Sequence, residues 1–468
     1  MDGKRQERKQ QEQKPQEWSR REFLVSTGAG ALASALPGVS GAQSGAPGRG
    51  KDRVILCNED SNTLSVIDPA ANTVLTTINL TSFDEDPRPP FRLATGGVVP
   101  AHAAMVGKPL YHGAIHIHGA APSPDNRLLA CTGRGTSNVY LIDLETLKVI
   151  GNTPNPQASA QTNAERLSSG VLVGREPHEP TFSRNGREIW VTVRGENRIA
   201  ILDTAAAVKE AGGVASGAVR GYVDCLNGPA QVWFSNDGAL AFVVSQKTSQ
   251  LEVIETRFGA DGFSRARRRA LLDIKAQDPF GFTPFEKTSP DGAELWLSHK
   301  LADSLSTWSV AGEPRLADTV TLGKMARPNH VEFVENAKGR VLYASLARVD
   351  DGGPGGVASS QIAIVDRSAT PGSRKLVGSF FSHGREAHGL WTDPENSVLY
   401  VAHEQDELPG TPNAGQTVCS AFDVRDPFAP RFVAQIPLGE LSLPSGKLRN
   451  KKSINLVYVR PGARSQTA

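Results

Sequence analysis

The stretch VILCNEDSNTLSVIDPAANTVLTTIN, residues 54–79, decides the fold because it contains three apolar strands separated by short turns. Apolar and polar residues alternate within the strands, and Asn, Asp and Pro stand between them, which is typical of β-hairpins. The pattern returns as LLACTGRGTSNVYLIDLETLKVI from Leu128 and as IWVTVRGENRIAILDT from Ile189. The later copies are AFVVSQKTSQLEVIET, LWLSHKLADSLSTWSV, LYASLARV with QIAIVDRS, and LYVAHEQ with TVCSAFDV. One supersecondary unit is therefore repeated along the chain.

These repeats predict an all-β fold, a seven-bladed β-propeller of four-stranded antiparallel blades. A single blade cannot bury both of its faces, so neighbours must stack around an axis, and a closed circle removes exposed edges. The first copy begins at its second strand, whereas residues 454–462, INLVYVRPG, match the missing first strand. We therefore expect the C-terminal strand to join blade 1 and close the ring. A pair of β-sandwiches also has regularly spaced short strands, but the fixed four-strand period disfavours it.

Residues 54–79 resemble the YVTN family β-propeller repeat, and the resemblance extends over nearly all of the chain after the N-terminal segment. Arg20 and Arg21, followed by the mild apolar run LVSTGAGALASALPG, resemble a twin-arginine (Tat) signal with a cleavage site near Ala42. This resemblance implies export of a folded protein to the periplasm or the cell exterior. The predicted segments are a signal peptide at 1–42, a linker at 43–52, the propeller at 53–462 and a disordered tail at 463–468.

Charge and hydropathy exclude several partner classes. The chain has 51 Lys and Arg against 49 Asp and Glu, and the predicted signal holds seven of the basic and five of the acidic residues, so 44 of each remain. A balanced chain lacks the basic excess of a phosphate-binding surface, so no nucleic acid is expected as a partner. No uninterrupted apolar run reaches about 18 residues, so no membrane span is expected after cleavage. We expect a monomer.

The position of the long insertions indicates which face carries the site. They lie at 81–117, 151–177, 347–360 and 404–416, on connections between a fourth and a first strand or between a second and a third. All these connections emerge on one face of a propeller, and long loops gathered on a rigid scaffold usually carry the function. Long insertions are expected on that face alone, with a small anionic ligand or a protein partner bound there.

Histidines recur at one position of the predicted first strands. Alignment of these strands on their turns gives, from blade 1 to blade 7, Asn455, His118, His178, Ala230, Pro284, His330 and His388. Ten histidines in the whole chain make this recurrence improbable by chance. Because first strands line the central channel, the four imidazoles should converge at its mouth. Converging imidazoles favour a transition metal, copper first, with possible redox activity. His116, two residues before His118, is a further candidate ligand.

Cations precede these histidines by three residues. They are Arg175, Arg327 and Arg385, and Lys452 stands in the same relation to Asn455. With Glu179 and Asn455 they form a predicted binding site for a small anionic ligand or substrate.

Four cysteines show no C-x-x-C spacing and are expected to be mostly free and buried: Cys57, Cys131, Cys225 and Cys419. The histidine column partially resembles the propeller domain of nitrous oxide reductase, whose histidines hold copper, but the chain lacks that enzyme's C-terminal segment with paired Cys. Three alternatives remain open: polar residues that only hydrogen-bond channel water, a non-catalytic module that binds a protein, peptide or cell-envelope ligand, and a metal-dependent, lactonase-like hydrolase.

Overall fold

The computed structural model describes residues 51–80, 115–151, 170–214, 216–443 and 446–465. The predicted signal peptide and residues 43–50 of the predicted linker lie outside the described residues. The described residues belong to one compact unit. No helix in the described ranges is both long enough and apolar enough to cross a membrane.

Seven antiparallel sheets form the blades within the described residues, six of them four-stranded and that of blade 2 five-stranded because its outer strand is split in two, so the predicted seven-bladed β-propeller is confirmed. Blade 1 contains β1 (Arg53–Asn58), β2 (Thr63–Asp68) and β3 (Thr73–Asn79); blade 2 contains β4 (Ile117–Pro122), β5 (Leu128–Gly133), β6 (Asn138–Asp143), β7 (Lys148–Val149) and β8 (Val171–Leu172). Blade 3 contains β9 (Pro177–Phe182), β10 (Glu188–Val193), β11 (Arg198–Asp203), helix α1 (Thr204–Ala211) and β12 (Val219–Asp224). Blade 4 contains β13 (Pro229–Phe234), β14 (Leu240–Ser245), β15 (Gln250–Glu255) and β16 (Arg267–Asp273).

The remaining strands follow the same order. Blade 5 contains β17 (Phe285–Thr288), β18 (Glu294–His299), β19 (Ser304–Ser309) and β20 (Arg315–Thr321). Blade 6 contains β21 (Pro328–Asn336), β22 (Gly339–Asp350), β23 (Ser359–Asp366) and β24 (Leu376–Phe381). Blade 7 contains β25 (Arg385–Thr392), β26 (Val398–Gln405), β27 (Val418–Asp423) and β28 (Arg431–Pro437). A hairpin, β29 (Glu440–Leu443) and β30 (Gly446–Arg449), precedes the last strand, β31 (Ser453–Val459).

Strand β31 closes the ring as the sequence predicts. It pairs antiparallel with β1, with Val54 opposite Tyr458, and all seven of its residues are buried. The Tyr458 hydroxyl donates to the Asp52 carboxylate at 2.5 Å, and Arg460 donates to the same carboxylate at 2.8 Å. Chain segments about 400 residues apart in sequence thus form one blade, in which β31 covers the inner edge of β1.

Hydroxyl groups on second strands fasten neighbouring blades near the axis. Thr132 donates to the carbonyl of His178 at 2.6 Å, and Thr192 donates to the carbonyl of Ala230 at 3.0 Å. Ser298 repeats the contact with the carbonyl of Asn329 at 2.5 Å. These side chains satisfy inner-strand carbonyls that would otherwise be buried without a partner, so the first strands are held in a fixed ring.

Two sequence expectations about the connections need correction. Long connections are not confined to the predicted face, because residues 204–218, which include α1, and residues 256–266 join third to fourth strands on the opposite face. The insertion at 151–177 does not simply link two blades: β7 and β8 both pair with β6, so the insertion interrupts the outer edge of blade 2. Outer strands make few buried contacts, so an interruption there costs little packing.

Candidate metal centre

A one-residue bulge near the start of the first strand shapes the channel mouth. In blade 2, Ile117 pairs with Gly133 and Ala120 with Cys131. Two residues of β4 therefore lie between these pairs but only one residue of β5. Blades 3 and 7 have the same bulge, which places His178 and His388 at the position of His118. A bulge re-aims side chains that regular alternation would send to opposite faces.

A left-handed residue stands two positions before each of these histidines. It is His116 with φ of 52°, Glu176 with φ of 55° and Glu386 with φ of 57°. Such a conformation is uncommon for residues other than glycine and costs about 1 kcal/mol or more. Its recurrence indicates that this turn sets the direction in which each strand enters the channel.

The strand pairing corrects the predicted column in blades 1 and 6. Val331 pairs with Ala344 and Leu456 pairs with Leu56, which places Asn329 and Ile454, rather than His330 and Asn455, at the position of His118. His330 and Asn455 therefore occupy the next position, which Glu179 holds in blade 3. Blade 6 has the same bulge, but its β21–β22 pairing continues to Asn336 and Gly339, so its turn lies further along the strands than the turn of blade 2 and turn spacing misplaces the histidine.

His118 and His178 lie side by side at the mouth, with ring centroids 4.2 Å apart, and both are buried. The Nδ1 atom of His178 lies 2.7 Å from the carbonyl oxygen of Ala230. Because a carbonyl can only accept, Nδ1 carries the proton and Nε2 keeps its lone pair. Burial lowers the pKa of His178 to about 3, and burial together with the charge of His178 lowers the pKa of His118 well below its usual range. Both rings are neutral.

Glu179 completes a cluster of three possible metal ligands. Its Oε1 lies 3.8 Å from Nε2 of His118, and its Oε2 accepts a hydrogen bond from Asn455 at 3.1 Å. Ligand atoms of His118, His178 and Glu179 all lie within 4.8 Å of one another. Burial raises the pKa of Glu179 well above its usual value. Gly119 makes room for this carboxylate, since a Cβ there would stand 2.4 Å from Oε2.

Glu59 is a site residue that the sequence analysis missed. Its Oε1 lies 3.5 Å from Nδ1 of His118 and 3.7 Å from Nδ1 of His116. Arg134 donates to Oε1 at 2.8 Å, and Nζ of Lys452 lies 2.6 Å from Oε2. Burial would raise the pKa of Glu59, but the charge of Lys452, followed by the nearby imidazoles of the two histidines and the charge of Arg134, lowers it well below its usual range.

A second group of possible metal ligands consists of Glu59, Asp60 and His116. Arg134 and Lys452, the two cations beside Glu59, make this group less suited to a metal ion. Because Arg134 and Lys452 already neutralise Glu59, a metal ion there would meet two positive charges. Glu59 is therefore better suited to orient His118 than to bind a metal. His116 lies beside this carboxylate, and its backbone amide donates to Asn62 at 2.9 Å.

Glu59 belongs to a second ring of side chains around the mouth. Each member lies at or near the end of a second strand, and most are charged. Five directly follow the strand, namely Glu59, Arg134, Arg194, Gln246 and Lys300, whereas Ala347 and Glu404 lie within the longer strands β22 and β26. Arg134 also donates to Glu176 at 2.9 Å, and Arg194 pairs with the same carboxylate. Burial lowers the pKa of Lys300. The sequence carries a signal for this ring, because its members stand at equivalent positions near the ends of the repeated second strands.

The other two predicted histidines lie together on the far side of the ring. The ring of His330 stacks on Phe285 at 3.9 Å and meets His388 edge-on at 4.9 Å. Nδ1 of His388 is hydrogen-bonded to Glu404. Burial, followed by the charges of His388 and His178, lowers the pKa of His330 well below its usual value. The channel mouth therefore brings four histidines together, with one pair next to Glu179.

The side chains of two of the three predicted arginines bind backbone carbonyls. Arg175 is half-exposed, and its side chain donates to the carbonyl of Gly195 at 3.2 Å. The guanidinium of Arg385 donates to the carbonyl of Asp406 at 2.7 Å. The backbone amide of Arg327 donates to the Asp303 carboxylate at 2.8 Å. Of the four predicted cations, Lys452 makes the contact closest to the histidines, through Glu59.

The four cysteines are free, as predicted, and three of them are buried. Cys57 and Cys131 lie at strand positions next to the mouth, opposite Asn455 and Ala120. Burial, followed by a side-chain hydrogen bond with Cys131, raises the pKa of the Cys57 thiol well above its usual value. A thiol in this state is a poor metal ligand.

No protein-family model and no curated protein matches the chain. Solved propeller structures resemble it at low sequence identity. A Pseudomonas aeruginosa periplasmic gluconolactonase is 14% identical with a TM-score of 0.53, covering 87% of this chain and 99% of that one. A functionally unknown protein from Desulfotomaculum acetoxidans is 8% identical with a TM-score of 0.52, covering 88% and 99%. The dihydro-heme d1 dehydrogenase NirN is 12% identical with a TM-score of 0.50, covering 91% and 78%. These similarities establish the fold.

Proposed function

We propose that the chain is an exported propeller of the YVTN type that binds a divalent transition metal at its channel mouth. The ligands are Nε2 of His118, Nε2 of His178 and one carboxylate oxygen of Glu179. The observation that supports this assignment is the convergence of these three donors within 4.8 Å. Ligand distances of about 2.1 Å imply donor separations of roughly 3.3 Å, which rotation of the side chains can supply.

The surroundings of the three donors support the assignment. The carbonyl of Ala230 holds Nδ1 of His178, and the carboxylate of Glu59 faces Nδ1 of His118. Partners of this kind fix the ring orientation and direct the opposite nitrogen at a metal. Two histidines and a carboxylate are a donor set found for Zn²⁺ and for non-haem Fe²⁺. When bound, such an ion supplies a Lewis acid that polarises a substrate oxygen.

Copper held by four histidines is the competing form of the site. His330 and His388 lie near the proposed ligands, and the charge of His388 contributes to the lowering of the pKa of His178 and of His330. Electron paramagnetic resonance of the protein loaded with Cu²⁺ separates the two forms. Hyperfine structure from two imidazole nitrogens supports the set with Glu179, whereas structure from four nitrogens identifies the four-histidine centre.

Metal content tests the proposal directly. Protein stripped with a chelator and reloaded with Zn²⁺, Fe²⁺ or Cu²⁺ should retain about one ion per chain with a sub-micromolar Kd. The double variant H118A/H178A should lose this ion. His383→Ala is the matched control, because His383 stacks on Phe432 at 3.7 Å and is not among the possible ligands. Failure of the folded wild type to retain any of these ions would refute the proposal.

A metal-dependent, lactonase-like hydrolase is the second candidate function. The carboxylate at the axis is the feature that such a site requires, and Glu179 supplies it between two imidazoles. Arg134 and Arg194 pair with Glu176, and Arg134 and Lys452 pair with Glu59, so these three cations exceed the two carboxylates by one charge. That surplus can hold the acid that hydrolysis releases. Release of acid from gluconolactone by the metal-loaded protein, and its loss in H118A/H178A, would support this activity. A metal-loaded protein without turnover would favour the non-catalytic binding module.

Export is tested independently of the metal. A fusion of residues 1–50 to a reporter that is active only after folded export should reach the periplasm. The substitution R20K/R21K should retain the reporter in the cytoplasm, while the matched change K4R/K9R should not. Export of both variants alike would exclude the twin-arginine route.

A further inference from the structure

A second cavity lies at the end of the channel opposite the histidines. Its volume is about 440 Å³, within the range of small-molecule sites. The lining residues come from the ends of the first strands and the following turns of blades 3 to 7, and from the segment after β31. They include Arg184, Trp233, Lys287, Glu332, Phe333 and Arg464. We call this cavity the axial vestibule.

The vestibule is separated from the metal centre. Between them lies a chamber of about 10 Å³, enough for one water molecule. Glu179 and Asn455 line it on the side of the mouth, and Trp233, Trp391 and Phe285 fill the channel. A ligand of the vestibule therefore cannot contact the histidines.

Lys287 and Glu332 form an ion pair in the floor of the vestibule, and their charges neutralise each other. Nζ of Lys287 lies 2.8 and 2.7 Å from the two carboxylate oxygens of Glu332, and both residues are buried. The same ammonium group lies 4.1 Å from the ring centroid of Trp391. Because the two charges cancel, the remaining formal charge of the lining residues is positive and comes from Arg184 and Arg464.

These two arginines act on each other. Burial, followed by the charge of Arg464, lowers the pKa of Arg184 to about 10, and the nearby Asp237 opposes the shift. Asp237 does not line the cavity, and it accepts hydrogen bonds from Ser235 and from the amide of Ala239. The backbone next to Arg464 is anchored, because the amide of Ser465 donates to the carbonyl of Pro124 at 2.9 Å.

We propose that the axial vestibule is a binding site for a small organic oxyanion, a carboxylate or a phosphate ester. The oxyanion lies between the guanidinium groups of Arg184 and Arg464, and the apolar part of the ligand packs on Trp233 and Phe333. Planar guanidinium groups bind both carboxylate and phosphate oxygens, and an anion relieves the repulsion between the two arginines. This site is independent of the proposed metal centre.

Titration calorimetry at low ionic strength with inorganic phosphate and with succinate tests the vestibule and distinguishes the two oxyanions. We expect one site per chain, a Kd that rises about tenfold or more in R184Q and in R464Q, and no detectable binding in the double variant. The matched control is Arg257→Gln, because Arg257 is a half-exposed arginine paired with Glu255 at 3.0 Å. Circular dichroism verifies that each variant is folded.

Three outcomes would overturn the inference. They are no binding of either anion at millimolar concentration, equal affinity in the wild type and R184Q/R464Q, or an equal loss in R257Q. The variant H118A/H178A should bind the anion as the wild type does. Loss of anion binding in that variant would place the anion at the channel mouth instead.

Discussion

The substitution Gly119→Ala tests the metal centre without removing any ligand. A Cβ at residue 119 would stand 2.4 Å from Oε2 of Glu179, 2.5 Å from the carbonyl oxygen of His178 and 2.7 Å from Cδ of Pro180. Ordinary contacts of a Cβ begin at 3.4 Å. The carboxylate must therefore move by about 1 Å, twice the roughly 0.5 Å within which a functional constellation has to be held.

We expect this displacement to weaken metal binding by about 10- to 100-fold, the range found when the support of a metal ligand is lost. Overpacking should also lower the free energy of unfolding of the metal-free protein by about 1–3 kcal/mol. Competition with a chromophoric chelator gives the Kd, and urea denaturation gives the stability. The matched control is Gly221→Ala, because a Cβ at Gly221 meets no atom within 4 Å.

A G119A protein that binds metal as tightly as the wild type would contradict this prediction. Glu179 would then not be a ligand. An equal loss of affinity in G221A would show that the effect is a general loss of stability.

Three further predictions concern stability. Neither carboxylate oxygen of the fully buried Glu286 has a hydrogen-bond partner within the described residues, and burial raises the pKa of this carboxyl well above the usual value. Because the folded state therefore holds the proton, the stability of the wild type relative to E286Q should fall by up to about 1.4 kcal/mol per pH unit as pH rises above about 4.3. Urea titrations from pH 4 to 8 measure this difference. Burial lowers the pKa of His299 to about 3, so the folded state holds this imidazole neutral. The stability of the wild type relative to H299N should therefore fall by up to about 1.4 kcal/mol per pH unit as pH drops from about 6.5 toward 3. A stability difference that does not change with pH would contradict a neutral buried His299. R134Q leaves the buried carboxylates of Glu59 and Glu176 with one neighbouring cation fewer and should lower the free energy of unfolding by about 3 kcal/mol. A loss below about 1 kcal/mol would show that the remaining cations neutralise both carboxylates.

The sequence alone determined the architecture. Strand alternation and turn residues are local signals, and their repetition at a fixed period predicts blades that must stack and close. The missing first strand of blade 1 and the match at 454–462 predicted the closure, which the pairing of β31 with β1 confirms. The recurrence of histidine in the first strands likewise predicted a cluster of imidazoles at the channel mouth, where the four rings lie together.

Only the tertiary structure decided which residues face one another at the axis. The length of the β21–β22 hairpin places His330, and the pairing of β31 with β1 places Asn455, and turn spacing encodes neither. Glu59 reaches His118 from another blade, a contact that no local pattern encodes. The separation of Arg184 from Arg464 along the chain also hides the vestibule. Local periodicity fixes each blade, whereas contacts between blades depend on how the ring closes in three dimensions.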